Sequence, residues 1–352
     1  MLKTIIPLID LRGKTPVDLL RAYPDSARKL VLAARRIYGV WSHAASFVLL
    51  PLADKYSHKW LERTQNPFLH EIESFDTILG LRGVYALNLS YEWGCTSGAY
   101  RGEEGITMMR VLDWPFPKLG KNVLVVLQSG KAGEFYNVTW AGISGVFNAV
   151  APNRFCAALN LAPMRNHRKN FISNWLKNRK IACKQTALPP SHLLRQVFEI
   201  AESYAKAKEM LTKTPIAVPA IFTLTGLHDG EGCVIERLEN SAEVRELGAG
   251  QQVATSNHFH TKLAEGTIPR PFFNSEGRFK QANSMQGYEM AEDNLAWLRA
   301  PMLNPFTRLC VVADAASGRL IVQGFEGVST ATELFILPIK KTTHGEFQPD
   351  GE

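Results

Sequence analysis

Cysteine is scarce and scattered. The 352 residues hold five, Cys95, Cys156, Cys183, Cys233 and Cys310, with no Cys-x-x-Cys pair. An odd number at wide spacing excludes a disulfide framework and a structural zinc site, and it points to a reducing compartment. Long apolar runs are missing too. The nearest, Tyr38 to Ala53, carries Ser42, His43, Ser46 and Pro51, so no stretch reads as a membrane span. The opening MLKTIIPLIDLRGK is broken too soon by Asp10 and Arg12 to read as a signal peptide. A cytoplasmic location is the expectation. No internal repeat or low-complexity tract is evident.

What is present is ordinary for a globular chain that can bury a sizeable core: 45% hydrophobic and 21% charged residues. The net charge of +7 is a mild basic excess. It suits an anionic membrane surface or a nucleic acid, but a solvated surface with extra lysine is the simpler reading. A basic run at residues 165–180, RNHRKNFISNWLKNRK, reads as a nucleic-acid patch or equally as an exposed loop over the active site; a lone basic run is weak evidence, so no nucleic-acid partner is expected.

The chain is organised around residues 91–117, YEWGCTSGAYRGEEGITMMRVLDWPFP. Thr96 to Tyr100 suits a strand, Arg101 to Gly105 a polar, glycine-rich turn, and Ile106 to Leu112 a returning strand. Such a hairpin brings Arg110 and Asp113 back beside Cys95. A thiol must ionise to attack a carbonyl, and a guanidinium nearby lowers its pKa. A carboxylate beside them can orient a proton-carrying group. The same arginine and aspartate would also serve as a structural ion pair.

Residues 1–94 look helical, with Thr15-Pro16 as a start and Ser26 to Ala45 as a long amphipathic segment whose basic face holds Arg28, Lys29, Arg35 and Arg36. Ser74 and Asp76 read as caps of a further helix running towards Gly94. After Cys95 the texture changes to short β-prone runs: Val123 to Leu127, Glu134 to Thr139, Gly145 to Val150 and Arg154 to Asn160. Pro189 to Thr212 has helical spacing. Strands return at Ala217 to Thr225, Gly232 to Arg237, Gln252 to Thr255, Thr307 to Asp314 and Leu320 to Gly324. The polar tail after Lys340 reads as loose.

Cys-Thr-Ser at Cys95, with Arg-x-x-Asp a hairpin later, resembles the N-terminal nucleophile hydrolases of the choloylglycine hydrolase, acid ceramidase and N-acylethanolamine acid amidase group. Residues 205–236, AKAKEMLTKTPIAVPAIFTLTGLHDGEGCVIE, carry the resemblance further. So do Phe155 to Asn160, Thr255 to Asn257 and Pro301 to Gly324. It spans roughly residues 85–325. The sequence departs from the usual Arg-Asn-x-Asp by having Val111 where asparagine is common.

The resemblance implies an α+β fold, a four-layer αββα sandwich: a helical segment at 1–94, a catalytic domain at 95–340, and a loose tail at 341–352. It implies that the chain cuts itself between Gly94 and Cys95, leaving a self-derived heterodimer, and that Cys95 then hydrolyses an amide with its own α-amine as base. An α-amine with a pKa of about 7.7–8.0 suits that task. By the same resemblance Arg110 and Asp113 flank the nucleophile, Asn257 and Asn160 stand at the oxyanion-binding positions, and Arg278 supplies a further arginine, with Arg270 the alternative. No cofactor and no metal are expected. His258 and His260 form a His-x-His that could bind a metal with His228 and Asp229, although exposed loop histidines are commoner. The partner expected is a small N-acyl amide, with fatty-acyl the leading class; peripheral membrane contact through the basic helical part is a further expectation. Bile salts, penicillin V or acyl-homoserine lactones, acyl transfer, and a non-catalytic lipid-binding relative are the alternatives.

Overall fold

The computed structural model describes residues 3–38, 43–89, 93–102, 105–167, 170–270 and 274–337. The tail expected at 341–352 and the side chains of Arg35 and Arg36 lie outside the described residues.

The helices are α1 (Pro16–Ala22), α2 (Pro24–Tyr38), α3 (His43–Arg63), α4 (Leu69–Leu79), α5 (Val84–Asn88), α6 (Phe171–Ala182), α7 (Pro190–Ile200), α8 (Tyr204–Lys213) and α9 (Ser275–Ser284). The early strands are β1 (Leu8–Asp10), β2 (Gly94–Arg101), β3 (Ile106–Asp113), β4 (Leu124–Gly130), β5 (Gly133–Thr139), β6 (Asn148–Ala151), β7 (Phe155–Leu161) and β8 (Met164–Arg165). Later come β9 (Ala220–Thr225), β10 (Gly232–Arg237), β11 (Ala242–Glu246), β12 (Gln252–Thr255), β13 (Thr267–Ile268), β14 (Thr307–Asp314), β15 (Arg319–Glu326), β16 (Ser329–Thr330) and β17 (Phe335–Ile336).

One sheet runs β1-β4-β5-β6-β7-β9-β10-β11 and the other β12-β2-β3-β14-β15-β16, with β17 also on β15. The sheets stack face to face: β2 meets β7, β9 and β10, and β3 meets β7 and β9. Helices α7 and α8 cover the outer face of the first sheet, and α9 lies on β2 and β12 outside the second. This is the expected αββα sandwich. Its central strands are buried on both faces; every residue of β3, β7, β9, β10 and β14 is buried. That explains why they read as continuous apolar runs rather than alternating ones.

Several expectations need correction. The first 94 residues are not wholly helical: Leu8–Asp10 pairs in parallel with Val125–Leu127, so this part supplies an edge strand of the first sheet. The segment from Ser26 to Ala45 belongs to two helices, with Arg28 and Lys29 exposed on the first. Ser74 and Asp76 sit inside α4 rather than capping it; Ser74 Oγ donates to the His70 carbonyl one turn back, and Gly80 in the left-handed region ends the helix. The basic run at 165–180 is mostly helix, because the Asn170 side chain accepts from Ser173 N and caps α6. Pro189 to Thr212 divides into two helices, as Ser203 caps a new start.

Candidate active site

Strand register assembles the site. In the β2–β3 hairpin Ser97 faces Arg110, Cys95 faces Leu112 and Gly94 faces Asp113. Arg110 is therefore the diagonal neighbour of Cys95 on the face turned to the other sheet, a separation a long side chain spans. Its Nη2 donates to Cys95 Sγ at 3.2 Å and to the Leu159 carbonyl at 3.0 Å, while Nη1 donates to Asn148 Oδ1 at 3.0 Å. The thiol donates weakly to the Leu159 carbonyl, 3.8 Å away.

Asp113 has the other parity and points outward, towards α9. There Arg278, fully buried, reaches back. Its Nη1 donates to the Cys95 carbonyl and, at 2.8 Å, to Thr96 Oγ1; Nη2 donates to Asn257 Oδ1 at 2.7 Å; Nε lies 3.6 Å from Asp113 Oδ2. The Thr307 hydroxyl donates to Asp113 Oδ1 at 2.9 Å, and Oδ2 has no hydrogen bond among the described residues.

Asn257 follows the end of β12, where Thr255 pairs with Ser97; two residues on, it comes level with Cys95. Its Oδ1 accepts from the Cys95 backbone N–H at 2.8 Å, and its Nδ2 donates to the Leu161 carbonyl at 2.8 Å. The Ser275 hydroxyl fixes this corner by accepting from Asn257 N at 2.9 Å. Asn160 belongs to a supporting layer. Its Oδ1 accepts from Ser97 Oγ at 3.1 Å and its Nδ2 donates to the Ser256 carbonyl at 3.1 Å, so both ends brace the sheets together.

Of the predicted residues, then, Cys95, Arg110, Asp113, Asn257 and Arg278 converge directly, and Asn160 stands one bond removed. Arg270 lies elsewhere, with its Nε 3.4 Å from the Ala162 carbonyl on a cavity wall. Sequence reasoning missed Asn148, Thr307 and Ser275. Each bonds a site residue from a distant strand or helix, and no local motif marks them. Val111, the departure from the usual motif, is buried opposite Thr96 and packs with apolar neighbours.

Burial dominates the electrostatics. It pushes the Cys95 thiol up, with Arg110 and then Arg278 pulling the other way. It also pushes the Asp113 carboxyl up against the pull of Arg278. Burial thus works against the thiolate, and a base beside the thiol would help to form it.

The histidine pair is separate. The His258 and His260 rings lie 4.3 Å apart, and His258 Nδ1 is 2.8 Å from Ser275 Oγ. His228 lies in a turn whose Asp229 pairs with Arg101. Among the described residues no group of three or more His, Cys, Asp or Glu side chains is placed to hold a metal.

Beside the centre lies a cavity of about 530 Å³. Its walls are largely apolar, including Trp60, Leu89, Leu161, Met164, Trp175 and Val218. Leu161 joins the two regions, lining the cavity and taking the Asn257 amide on its carbonyl.

A buried cysteine opening a strand between two stacked sheets, with arginines on both faces, is the arrangement expected of an N-terminal nucleophile hydrolase. The chain is 31% identical over 192 residues to acid ceramidase of Pan troglodytes, covering 51% of this chain and 45% of that protein. It is 30% identical over 178 residues to the N-acylethanolamine-hydrolyzing acid amidase of Mus musculus, covering 49% and 47%. Both relatives are of the group its motifs resemble, and the chain spans about half the length of each. A solved Caenorhabditis elegans N-acylethanolamine-hydrolyzing acid amidase ortholog is similar at 20% identity and a TM-score of 0.48, covering 69% of this chain and 100% of that one. No protein-family profile matches the chain.

Proposed function

We propose that this chain is an amidase that hydrolyses N-acyl amides, with a fatty-acyl group in the cavity, after cutting itself before Cys95. The observation that carries the reading is the pairing of Gly94 with Asp113, whose buried Oδ2 has no hydrogen bond among the described residues. A buried carboxylate oxygen that meets a cation, Arg278 Nε, only at 3.6 Å, beyond hydrogen-bond range, is costly. An α-ammonium created at Cys95 would supply the donor.

Maturation starts with attack of Cys95 Sγ on the Gly94 carbonyl carbon. The C–N bond breaks as the nitrogen takes a proton, leaving a thioester, and water then frees the Gly94 carboxylate and restores the thiol. In the mature site the α-amine takes the thiol proton and the thiolate attacks the substrate carbonyl. The α-ammonium returns the proton to the leaving amine. A second water, activated by the amine, hydrolyses the acyl thioester. Arg110 favours the thiolate, Asp113 holds the α-ammonium in line, and Asn257 turns its remaining Nδ2 hydrogen to the oxyanion. Arg278 keeps Asn257 and Asp113 in register, and Asn160 acts by bracing Ser97 and Ser256.

The cavity supports a long acyl chain. About 0.8 kcal/mol is gained per buried methylene, so an apolar channel favours length. Exposed Tyr56 and Leu176 on its wall, with exposed Arg28 and Lys29 on α2, support peripheral contact with an anionic membrane. Liposome sedimentation at low salt tests that contact.

Intact-mass measurement and N-terminal sequencing of the purified protein, beside Cys95→Ala, test the central reading. The expected result is fragments 1–94 and 95–352 in the parent alone, with N-acyl amide hydrolysis absent from the variant. An uncut, inactive parent across the accessible pH range would overturn it.

A further inference from the structure

Cutting before Cys95 severs the segment that carries α1 to α5 and β1 from the rest of the chain. No cysteine lies among residues 1–94, so no disulfide can tie these residues to the remainder. We infer that the two halves stay joined through a buried polar clamp centred on Arg195, and that this clamp keeps one wall of the acyl cavity in place. The inference rests on the self-cleavage proposed above.

Arg195, on α7, is the hub. Its Nη1 donates to both Glu71 carboxylate oxygens, at 2.8 and 3.0 Å, and to the Ser144 carbonyl at 2.8 Å; Nε donates to Glu199 at 2.8 Å. The guanidinium carbon sits 4.1 Å from the centre of the Phe68 ring. The Arg195 and Glu71 side chains are only 9% and 11% exposed, so solvent screens this pair little. Two amides flank it. Asn66 Nδ2 is 2.9 Å from His192 Nδ1, one turn before Arg195. Asn88 donates to the Gly142 carbonyl at 3.0 Å and accepts from Ser144 N at 2.8 Å. Asn66, Phe68, Glu71 and Asn88 thus come from one side of the cut and meet a short arc of the other.

The contact is the buried, charged part of a junction whose other side-chain bonds, such as Arg12 to Glu134, Arg63 to the Cys183 carbonyl and Ser26 to Asn122, lie nearer solvent. Apolar core runs across both halves, and β1 lies along β4, but packing and a short edge strand tolerate sliding. A buried pair does not, since separating it leaves a charge uncompensated. The cavity makes the registration matter. Trp60, Ala86 and Leu89 line it from before the cut, whereas Leu161, Trp175 and Val218 line it from after. A fragment that drifts opens the acyl site while leaving the Cys95 cluster whole.

The test places the cut under control. A Cys95→Ala chain carrying a specific protease site between Leu89 and Trp93 is purified uncut, cleaved, and diluted, and the dissociation constant of its halves is read by size exclusion and anisotropy. The expected result is that the parent halves stay together, while Glu71→Gln and Arg195→Met each raise the constant at least a hundredfold. Circular dichroism of the uncut variants checks folding. Isosteric Glu71→Gln carries the test if Arg195→Met fails to fold. Replacing both partners by apolar residues, Glu71→Leu with Arg195→Met, should recover part of the loss. Cut Glu71→Gln halves that bind as tightly as the parent's would overturn the clamp. The protease makes the cut, so a chain that never cleaves itself still gives this answer; failure of self-cleavage appears only in the intact-mass experiment.

Discussion

The Cys95 centre and the cavity beside it share Leu161 and little else. In the centre, Arg110, Asp113, Asn257 and Arg278 are all buried, and each is tied by hydrogen bonds to strands far apart in sequence. In the cavity the walls come from several segments before and after Cys95, and most contacts are apolar. Hydrogen bonds are directional and lose strength steeply with misalignment, whereas apolar contact scales with area and barely with angle. On the proposed function, the centre therefore reads one kind of bond and the cavity reads size. Reaction class follows from a few residue identities; substrate identity follows from a shape that many sequences could line.

The comparison breaks first if the polar centre proves tolerant. Arg278→Met removes a buried guanidinium that holds the Cys95 carbonyl, Thr96 and Asn257 and faces Asp113. Breaking a buried charged cluster costs about 3–5 kcal/mol of stability. Amide hydrolysis should fall by about a thousandfold or more, comparable to loss of an oxyanion donor that its contact keeps in place. Arg270→Met, on the cavity wall, should leave the rate for a short-chain substrate nearly unchanged. Urea unfolding and steady-state kinetics measure both effects. Equal losses in the two variants would erase the distinction between centre and cavity.

A cavity variant sharpens it. Ala182 lies on the wall and is nearly buried. Ala182→Phe fills part of the channel, so long acyl chains should lose kcat/KM relative to short ones. Each methylene excluded is worth about 0.8 kcal/mol, close to fourfold. The acyl-chain profile of the variant against the parent, at one leaving amine, checks this. A uniform loss at every length would mean that the change had reached the reacting atoms.

Much of the centre was legible because its main parts are local. Cys95, Arg110 and Asp113 lie on one hairpin, and a period of two with a glycine-rich turn fixes which residues face one another. Arg278 and Asn257 were reachable only through family resemblance, since register beyond β12 and the docking of α9 are tertiary facts. Asn148 and Thr307 left no signal, because a buried asparagine or threonine reads like any strand residue until its partner is known. The same limit hid β1. A three-residue parallel edge strand is too short for periodicity, and only its pairing with β4 defines it. The cavity was the least legible part, as apolar wall and apolar core have one composition.

Asn148 offers the finest probe of the centre. It does not touch Cys95; it accepts from Arg110 Nη1 at 3.0 Å and donates to the Val138 carbonyl at 3.0 Å, which aims the other guanidinium nitrogen at the thiol. Asn148→Leu leaves those two groups without partners, at about 1–3 kcal/mol in stability, and lets the guanidinium turn. Burial pushes the thiol pKa up and Arg110 pulls it down, so a less well-aimed Arg110 raises it further. The thiol–amine pair then reaches its reactive protonation state at a higher pH than in the parent, so the acid limb of the kcat/KM profile should move upward, with a fall of about tenfold at neutral pH. Asn148→Asp should move the limb the same way, because a carboxylate against Arg110 competes with the thiolate for its charge. A purely structural role predicts a lower rate with an unmoved profile, and that outcome would reduce Asn148 to packing.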